Sequence, residues 1–246
     1  MSDEILRIVN GSKLYGTDTA QSDDDFVSIF VESSEDVFMG RYLKTRAFGT
    51  TGPQERAKAG DIDGVAYSLR HFIDLTAKGN PSTLALLFAP RDKVVVSTEQ
   101  GWQLLKNRDL FVSQLAVPRF RGYMQSQLLR LTGVKAGHIP NRPEIVEQHG
   151  YDTKYASQVA RLAFQGIEYI KTGNITLPMP YLERQMVREI RAGRHSYDEA
   201  IEYLQTLDEA LRRESDNCKL KEHPEWKMLG QLSQSIHINT WRNQET

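Results

Sequence analysis

Gly11-Ser12-Lys13-Leu14-Tyr15-Gly16-Thr17-Asp18-Thr19-Ala20-Gln21-Ser22-Asp23-Asp24-Asp25-Phe26 decides the reading of this chain. It lies between two apolar runs, Ile5-Leu6-Arg7-Ile8-Val9 and Asp25-Phe26-Val27-Ser28-Ile29-Phe30-Val31, each of strand length and composition. Asn10-Gly11-Ser12 stops the first run, and Lys13-Leu14-Tyr15 predicts a one-turn helix before Gly16. A Gly-Ser turn entering a helix presents backbone N–H groups and a small hydroxyl, which suit the phosphates of a nucleotide. Lys13 is placed to add a point charge to a triphosphate, and Tyr15 either stacks on a base or packs under the turn. Residues two apart on a strand share a face, so Asp23 and Asp25 converge with Cα atoms roughly 6–7 Å apart. Paired carboxylates are the oxygen donors that magnesium takes, and two such ions about 4 Å apart suit an in-line phosphoryl displacement. A third carboxylate on a neighbouring strand completes such a site, and Asp61 and Asp63, at the head of a strand over Ile62 to Tyr67, both qualify. The competing reading is an acidic, solvated turn. An EF-hand is set aside for want of alternating ligands, a central glycine and a terminal glutamate.

Outward from this stretch, the first hundred residues alternate strand-like and helical runs, whereas the remainder reads almost wholly as amphipathic helix. A boundary near residues 108–116 divides a domain over 1-110 from a helical domain over 111-246, a lobe for acceptor or nucleotide. Segment 48–60 is rich in glycine, proline and small polar residues and reads as an exposed loop. Ser68 is placed to cap a helix carrying Leu69, Phe72, Ile73 and Ala77, and Asn80-Pro81 opens the next. Residues 152–171 repeat Ala156, Val159, Ala160, Ala163, Ile167 and Ile170 at helical spacing. Ser196 with Glu199 spells a capping box for a helix through about residue 214.

Composition narrows the functions. The 246 residues are 39% hydrophobic and 26% charged, enough for a substantial core, and 31 Lys and Arg against 32 Asp and Glu leave a formal charge of −1. No net basic field drives sequence-independent binding to long nucleic acid. The single Cys218 excludes an internal disulfide and a multi-cysteine metal site, and the six histidines are too dispersed for a zinc site. No apolar run spans a bilayer and the first residues are acidic, so the expectation is a cytoplasmic chain with no membrane partner.

Gly11-Ser12, ten intervening residues and Asp23-x-Asp25 resemble the signature of the DNA polymerase β-like nucleotidyltransferase superfamily. The longer form Gly-Ser-x-x-Tyr-Gly-Thr followed by Ser-Asp-x-Asp is similar to one family within it, the predicted nucleotidyltransferases of bacteria and phages associated with RNA repair. Two further stretches carry the likeness. One is Tyr67-Ser68-Leu69-Arg70-His71-Phe72 with Lys78-Gly79-Asn80-Pro81 and Leu86-Leu87-Phe88. The other is His149-Gly150-Tyr151-Asp152-Thr153-Lys154 with Arg161-Leu162 and Leu177-Pro178-Met179-Pro180.

The resemblance spans about residues 5–195 and implies an α+β fold, a small mixed sheet with flanking helices followed by an all-helical C-terminal domain. It implies a magnesium- or manganese-dependent transfer of a nucleoside monophosphate from a nucleoside triphosphate to a hydroxyl, with pyrophosphate released. The acceptor is RNA, protein or a small molecule, with RNA favoured by the family association. Asp23 and Asp25 become metal ligands, Gly11 and Ser12 the phosphate-contacting turn, and Asp63, ahead of Asp61, the third ligand and general base. Departures from the family pattern are Asp24 between the paired acids, Ala20, Ser28, Tyr155 and Gln158. Asp24 is expected at an exposed strand end, since burial without a partner is costly.

Asp152, Lys154 and Arg161 lie along one polar stripe and are candidates to line a substrate wall, against a reading as surface ion pairs. Arg119, Arg121, Arg130 and Lys135 form a loose basic group better read as a solvated helix face than an RNA contact. His149 and the tryptophans at 102, 226 and 241 read as packing residues. Two functions compete with an active transferase: a module that binds nucleotide without transfer, and an interaction protein whose acidic run is mere surface.

Overall fold

The computed structural model describes residues 3–20, 22–41, 43–50, 62–133 and 143–243. Contact density divides the chain into two compact units, one built from residues 1–113 and 223–246 and the other from 114–222.

In the first unit, five strands form one mixed sheet among the described residues: β1 Asp3–Val9, β2 Asp24–Val31, β3 Thr45–Gly49, β4 Ile62–Ser68 and β5 Val94–Ser97, in the order β3-β4-β2-β1-β5. β1 pairs antiparallel with β2 and β5, β2 runs parallel to β4, and β3 closes the edge antiparallel to β4. The helices of this unit are α1 Gly11–Tyr15, α2 Ser34–Phe38, α3 Leu69–Ala77, α4 Pro81–Leu86 and α5 Glu99–Lys106, together with the C-terminal α11 Trp226–Arg242. A mixed five-stranded sheet followed by helices agrees with the α+β expectation. Leu6, Ile8, Leu14, Ile29, Leu69 and Phe72 are each buried to within about 1% and form the core of this unit.

Two strands were not legible as such. Residues 48 and 49, expected in a loop, belong to β3, whose residues are mostly exposed and lack the alternation that marks a strand; Thr50 follows as a bend, and 51–60 lie outside the described residues. β5 is only four residues long. Caps divide similarly. Asn80 accepts from Ser82 N–H and Thr83 N–H at the start of α4, with Pro81 at the first position as expected. Ser68 occupies the N-cap of α3 without a side-chain bond, and its buried hydroxyl has no partner among the described residues.

The second unit consists of α6 Ala116–Leu131, α7 Pro143–His149, α8 Thr153–Thr172, α9 Tyr181–Arg191 and α10 Tyr197–Asp216. α8 is its axis: it contacts α6, α9 and α10, and its face of Ala156, Val159, Ala160, Ala163 and Ile170 is buried. The capping box of α10 forms as expected, Glu199 N–H donating to Ser196 and Ser196 N–H donating to the Glu199 carboxylate. The first unit breaks off after residue 113 and resumes at residue 223. The helical part is not continuous to the C-terminus, because α11 returns to the sheet-bearing unit.

Candidate active site

β1 and β2 are joined through the stretch that opened the reading. α1 is a single turn whose N-cap, Asn10, gives no side-chain bond, so the first backbone N–H groups of the turn are not capped by it. Asn10 N–H donates to the carbonyl of Asp25 at 2.8 Å, which ties the turn to the acid-bearing strand. Gly16, in the left-handed region at φ 73°, closes the helix. Gly11 also has a positive φ, 61°, and a Cβ built on it would stand 1.9 Å from Oδ2 of Asp25. Only a glycine lets the carboxylate approach the turn so closely.

Asp25 is in direct register with Asp63 across the parallel β2–β4 pair. Register partners on adjacent strands lie about 4.8 Å apart and point to the same face, so the two carboxylates emerge side by side. Asp25 is half-buried and Asp63 exposed. Asp23 is half-buried in the loop one residue ahead of β2. Asp61 lies outside the described residues. Among the described residues, no three His, Cys, Asp or Glu side chains are gathered closely enough to hold a metal. The donor chemistry and the tight turn nevertheless suit a hard cation: two carboxylates in register beside a backbone that a single methyl group would block.

Asp24 alternates to the opposite face, remains partly exposed, and forms an ion pair with Lys13 Nζ at 2.5 Å. Lys13 supplies the partner that the departure from an apolar residue at this position requires. Tyr15 is 7% exposed, so its ring packs under the turn rather than offering an open stacking face. Ser12 is half-buried at the second position of α1.

Asp152, Lys154 and Arg161 all belong to the second unit. Asp152 is buried and is the N-cap of α8, its Oδ1 accepting from Lys154 N–H at 2.9 Å and Tyr155 N–H at 3.1 Å. Its other oxygen is buried with no partner among the described residues. Arg161 donates to Gln165 Oε1 at 2.7 Å, one turn further along the helix. Asp152→Ala should cost the second unit about 1 kcal/mol, seen as a lower melting midpoint, whereas Asp152→Ser should retain most of that stability. Of the basic group, Arg119, Arg121 and Arg130 lie on α6, and Lys135 is outside the described residues.

A cluster that the sequence did not reveal sits at the far end of β2. Glu32, 3% exposed, accepts from Arg70 Nε at 3.0 Å and faces His237 Nε2 at 3.2 Å, while the Trp241 indole N–H donates to the Glu32 carbonyl at 2.8 Å. Burial alone would push the Glu32 carboxyl up. Hydrogen bonds from His237, from its own backbone and from Arg70 outweigh burial and hold it below the usual glutamate value.

The chain is 29% identical over 173 residues to an uncharacterized 38.9 kDa protein in the nrdC-mobD intergenic region of Enterobacteria phage T4. That match takes in 70% of this chain and 48% of the phage protein, so the chain spans about half the length of its relative. Among solved structures, a nucleotidyltransferase-like protein from Exiguobacterium sibiricum 255-15 aligns with 88% of this chain and 69% of its own, at 7% identity and a TM-score of 0.32. No helix among the described residues is long and apolar enough to cross a membrane. A family model matches residues 4–234, and by that match the chain belongs to the RlaP family, the RNA repair pathway DNA polymerase beta family.

Proposed function

We propose that this protein is a metal-dependent nucleotidyltransferase that moves a nucleoside monophosphate from a nucleoside triphosphate to an acceptor hydroxyl. The observation that carries the reading is the register of Asp25 with Asp63 beside the close approach of Gly11. Asp23, Asp25 and Asp63 are the residues to hold magnesium or manganese, which supplies neutralisation of phosphate charge when bound. Backbone N–H groups at Gly11 and Ser12 bind the triphosphate, with Lys13 adding a positive charge. The acceptor oxygen attacks the α-phosphorus as the bond to the β-phosphate breaks, and pyrophosphate leaves with that bonding pair. Asp63, exposed at the head of β4, takes the hydroxyl proton. Lys154 and Arg161 of the second unit are candidates for substrate contact. Asp152 has a role in starting α8 whether or not it touches substrate. Family membership favours RNA as acceptor. Protein and small-molecule hydroxyls are the alternatives, because a fold does not choose its acceptor.

A second reading is nucleotide binding without transfer, since the turn at Gly11 and Ser12, uncapped by Asn10, offers backbone N–H groups to a phosphate whether or not the carboxylates act. Labelled nucleoside triphosphate supplied with magnesium or manganese and with RNA, protein and small-molecule acceptors separates the two. Transferred label supports the first reading; metal-dependent binding without product supports the second.

Gly11→Ala tests the turn itself. The added Cβ displaces either the turn or the Asp25 carboxylate, and a displacement of about 1 Å at a reacting centre costs about 100-fold in rate. The expected result is a fall of that size in kcat/KM with a near-normal circular dichroism spectrum. Wild-type kcat/KM would count against a role for the close approach.

A further inference from the structure

The face of the sheet opposite Asp25 and Asp63 holds a cleft of about 220 Å³ that the transfer chemistry leaves unused, lined by Glu4, Arg7, Ser28, Phe30, Arg46, Phe48 and Ala66. Its residues share a face by register: Glu4 pairs with Phe30, Arg7 with Ser28, Ser28 with Ala66, and Ala66 with Arg46. One wall is fixed. Both Glu4 oxygens accept from Arg7 at 2.8 Å, and the Ser28 hydroxyl also donates to Glu4. Arg46 differs, for among the described residues no carboxylate pairs with it, and its guanidinium lies 4.6 Å from the centre of the Phe30 ring. Arg7 lies 5.4 Å from the centre of the Phe48 ring. Phe48 in turn lies flat on Gly64, where a Cβ would come within 2.3 Å of the ring. The cleft therefore joins two guanidinium–aromatic pairs to a floor of small side chains, with two cations set against one carboxylate.

We propose that this cleft binds one nucleotide of a single-stranded nucleic acid, its base against the half-buried Phe48 ring and the Arg7 guanidinium plane and its phosphate on Arg46, with Phe30, 4% exposed, lying beneath Arg46. Every base has a π face, and bases unstacked from a single strand are held by aromatic rings and arginine planes in this manner. The excess positive charge matches a phosphate. Size selects one residue of a strand over a free nucleoside triphosphate, since about 220 Å³ lies below the roughly 300–1,000 Å³ of sites that enclose a whole small molecule. Ser28 stands three residues from Asp25, about 10 Å along β2 and on the opposite face, so a strand seated there reaches the acid pair by passing round the end of the sheet at Asp24 and Asp25. That the strand is the acceptor rests on the transferase reading; the binding itself does not.

The test uses the full chain without metal or triphosphate and a fluorescein-labelled single-stranded RNA dodecamer, followed by anisotropy. Binding by the wild type should weaken about tenfold in Arg46→Ala and in Phe48→Leu, both checked for folding by circular dichroism. The assay holds neither metal nor triphosphate, so a failure of transfer and a failure of this site remain separable. An abasic oligonucleotide should compete poorly. The proposal is overturned by absence of oligonucleotide binding, by wild-type affinity in both cleft variants, by competition from inorganic polyphosphate equal to that of the oligonucleotide at equal charge, or by displacement of the oligonucleotide with micromolar ATP.

Discussion

Asp63→Asn should reduce nucleotide transfer by about 10³-fold while the chain stays folded. Stabilisation of developing phosphoryl charge by a properly held cation is worth several kcal/mol, and each 1.4 kcal/mol is a factor of ten in rate. Asparagine keeps the size of the side chain but removes both a charged ligand and the group that takes the acceptor proton. Asp63 is exposed and stands at the start of β4, so the substitution disturbs no core contact. Asp25→Asn should show a loss of the same order, because the two residues are register partners. Asp24→Asn, on the opposite face, should do far less: it releases Lys13 from its ion pair but leaves both proposed ligands in place. Steady-state rates with labelled triphosphate distinguish the three. Equal losses at 24 and 25 would contradict the assignment.

Glu32→Ala should destabilise the sheet-bearing unit by about 3 kcal/mol, since removing one member of a buried ionic cluster strands its partners. Arg70 is about one-third exposed and regains water, which keeps the cost from the top of the range, whereas His237 is buried. Trp102, Trp226 and Trp241 all lie in this unit, so tryptophan fluorescence during denaturant unfolding reports it alone. A midpoint unchanged from wild type would refute the role of the cluster. The pH dependence has a definite sign. The folded carboxyl titrates below its ordinary value near 4.5, so the charged cluster contributes fully above that value. Its contribution declines as the pH falls from 4.5 through the lower folded value. The stability gap between wild type and Glu32→Gln should therefore narrow on acidification below about 4.5.

What was legible follows the range of the interactions. Gly11-Ser12 and Asp23-x-Asp25 could be read because strand, turn and strand lie within thirty residues and each part has its own local signal. The choice between Asp61 and Asp63 is different in kind. In the sequence the two have the same parity at the head of one expected strand; the parallel pairing of β2 with β4 sets Asp63 beside Asp25, and Asp61 lies outside the described residues. β3 escaped notice because an edge strand with both faces largely exposed has no reason to alternate. Arg70 stands within a motif, yet its partner Glu32 lies 38 residues away and the third member, His237, lies 205 residues beyond Glu32. The amphipathic character of the C-terminal segment predicts a helix but not the surface it covers, and α11 returns to the sheet. Asp152 is a candidate substrate contact from its place at the start of a helix with a polar stripe, and the same position also makes it the N-cap of α8. The conflict between a local capping role and a proposed binding role is resolved by measurement of each separately.

The central claim is that Asp25 and Asp63 form the metal-holding pair of a working transferase. Its most direct test is manganese binding in the presence of a triphosphate that cannot be hydrolysed, measured by electron paramagnetic resonance on the wild type, Asp25→Asn and Asp63→Asn, alongside label transfer by the same three proteins. The account predicts triphosphate-dependent manganese binding and label transfer in the wild type, with both lost or greatly reduced in each variant. Wild-type manganese binding and label transfer in Asp25→Asn and Asp63→Asn would contradict it.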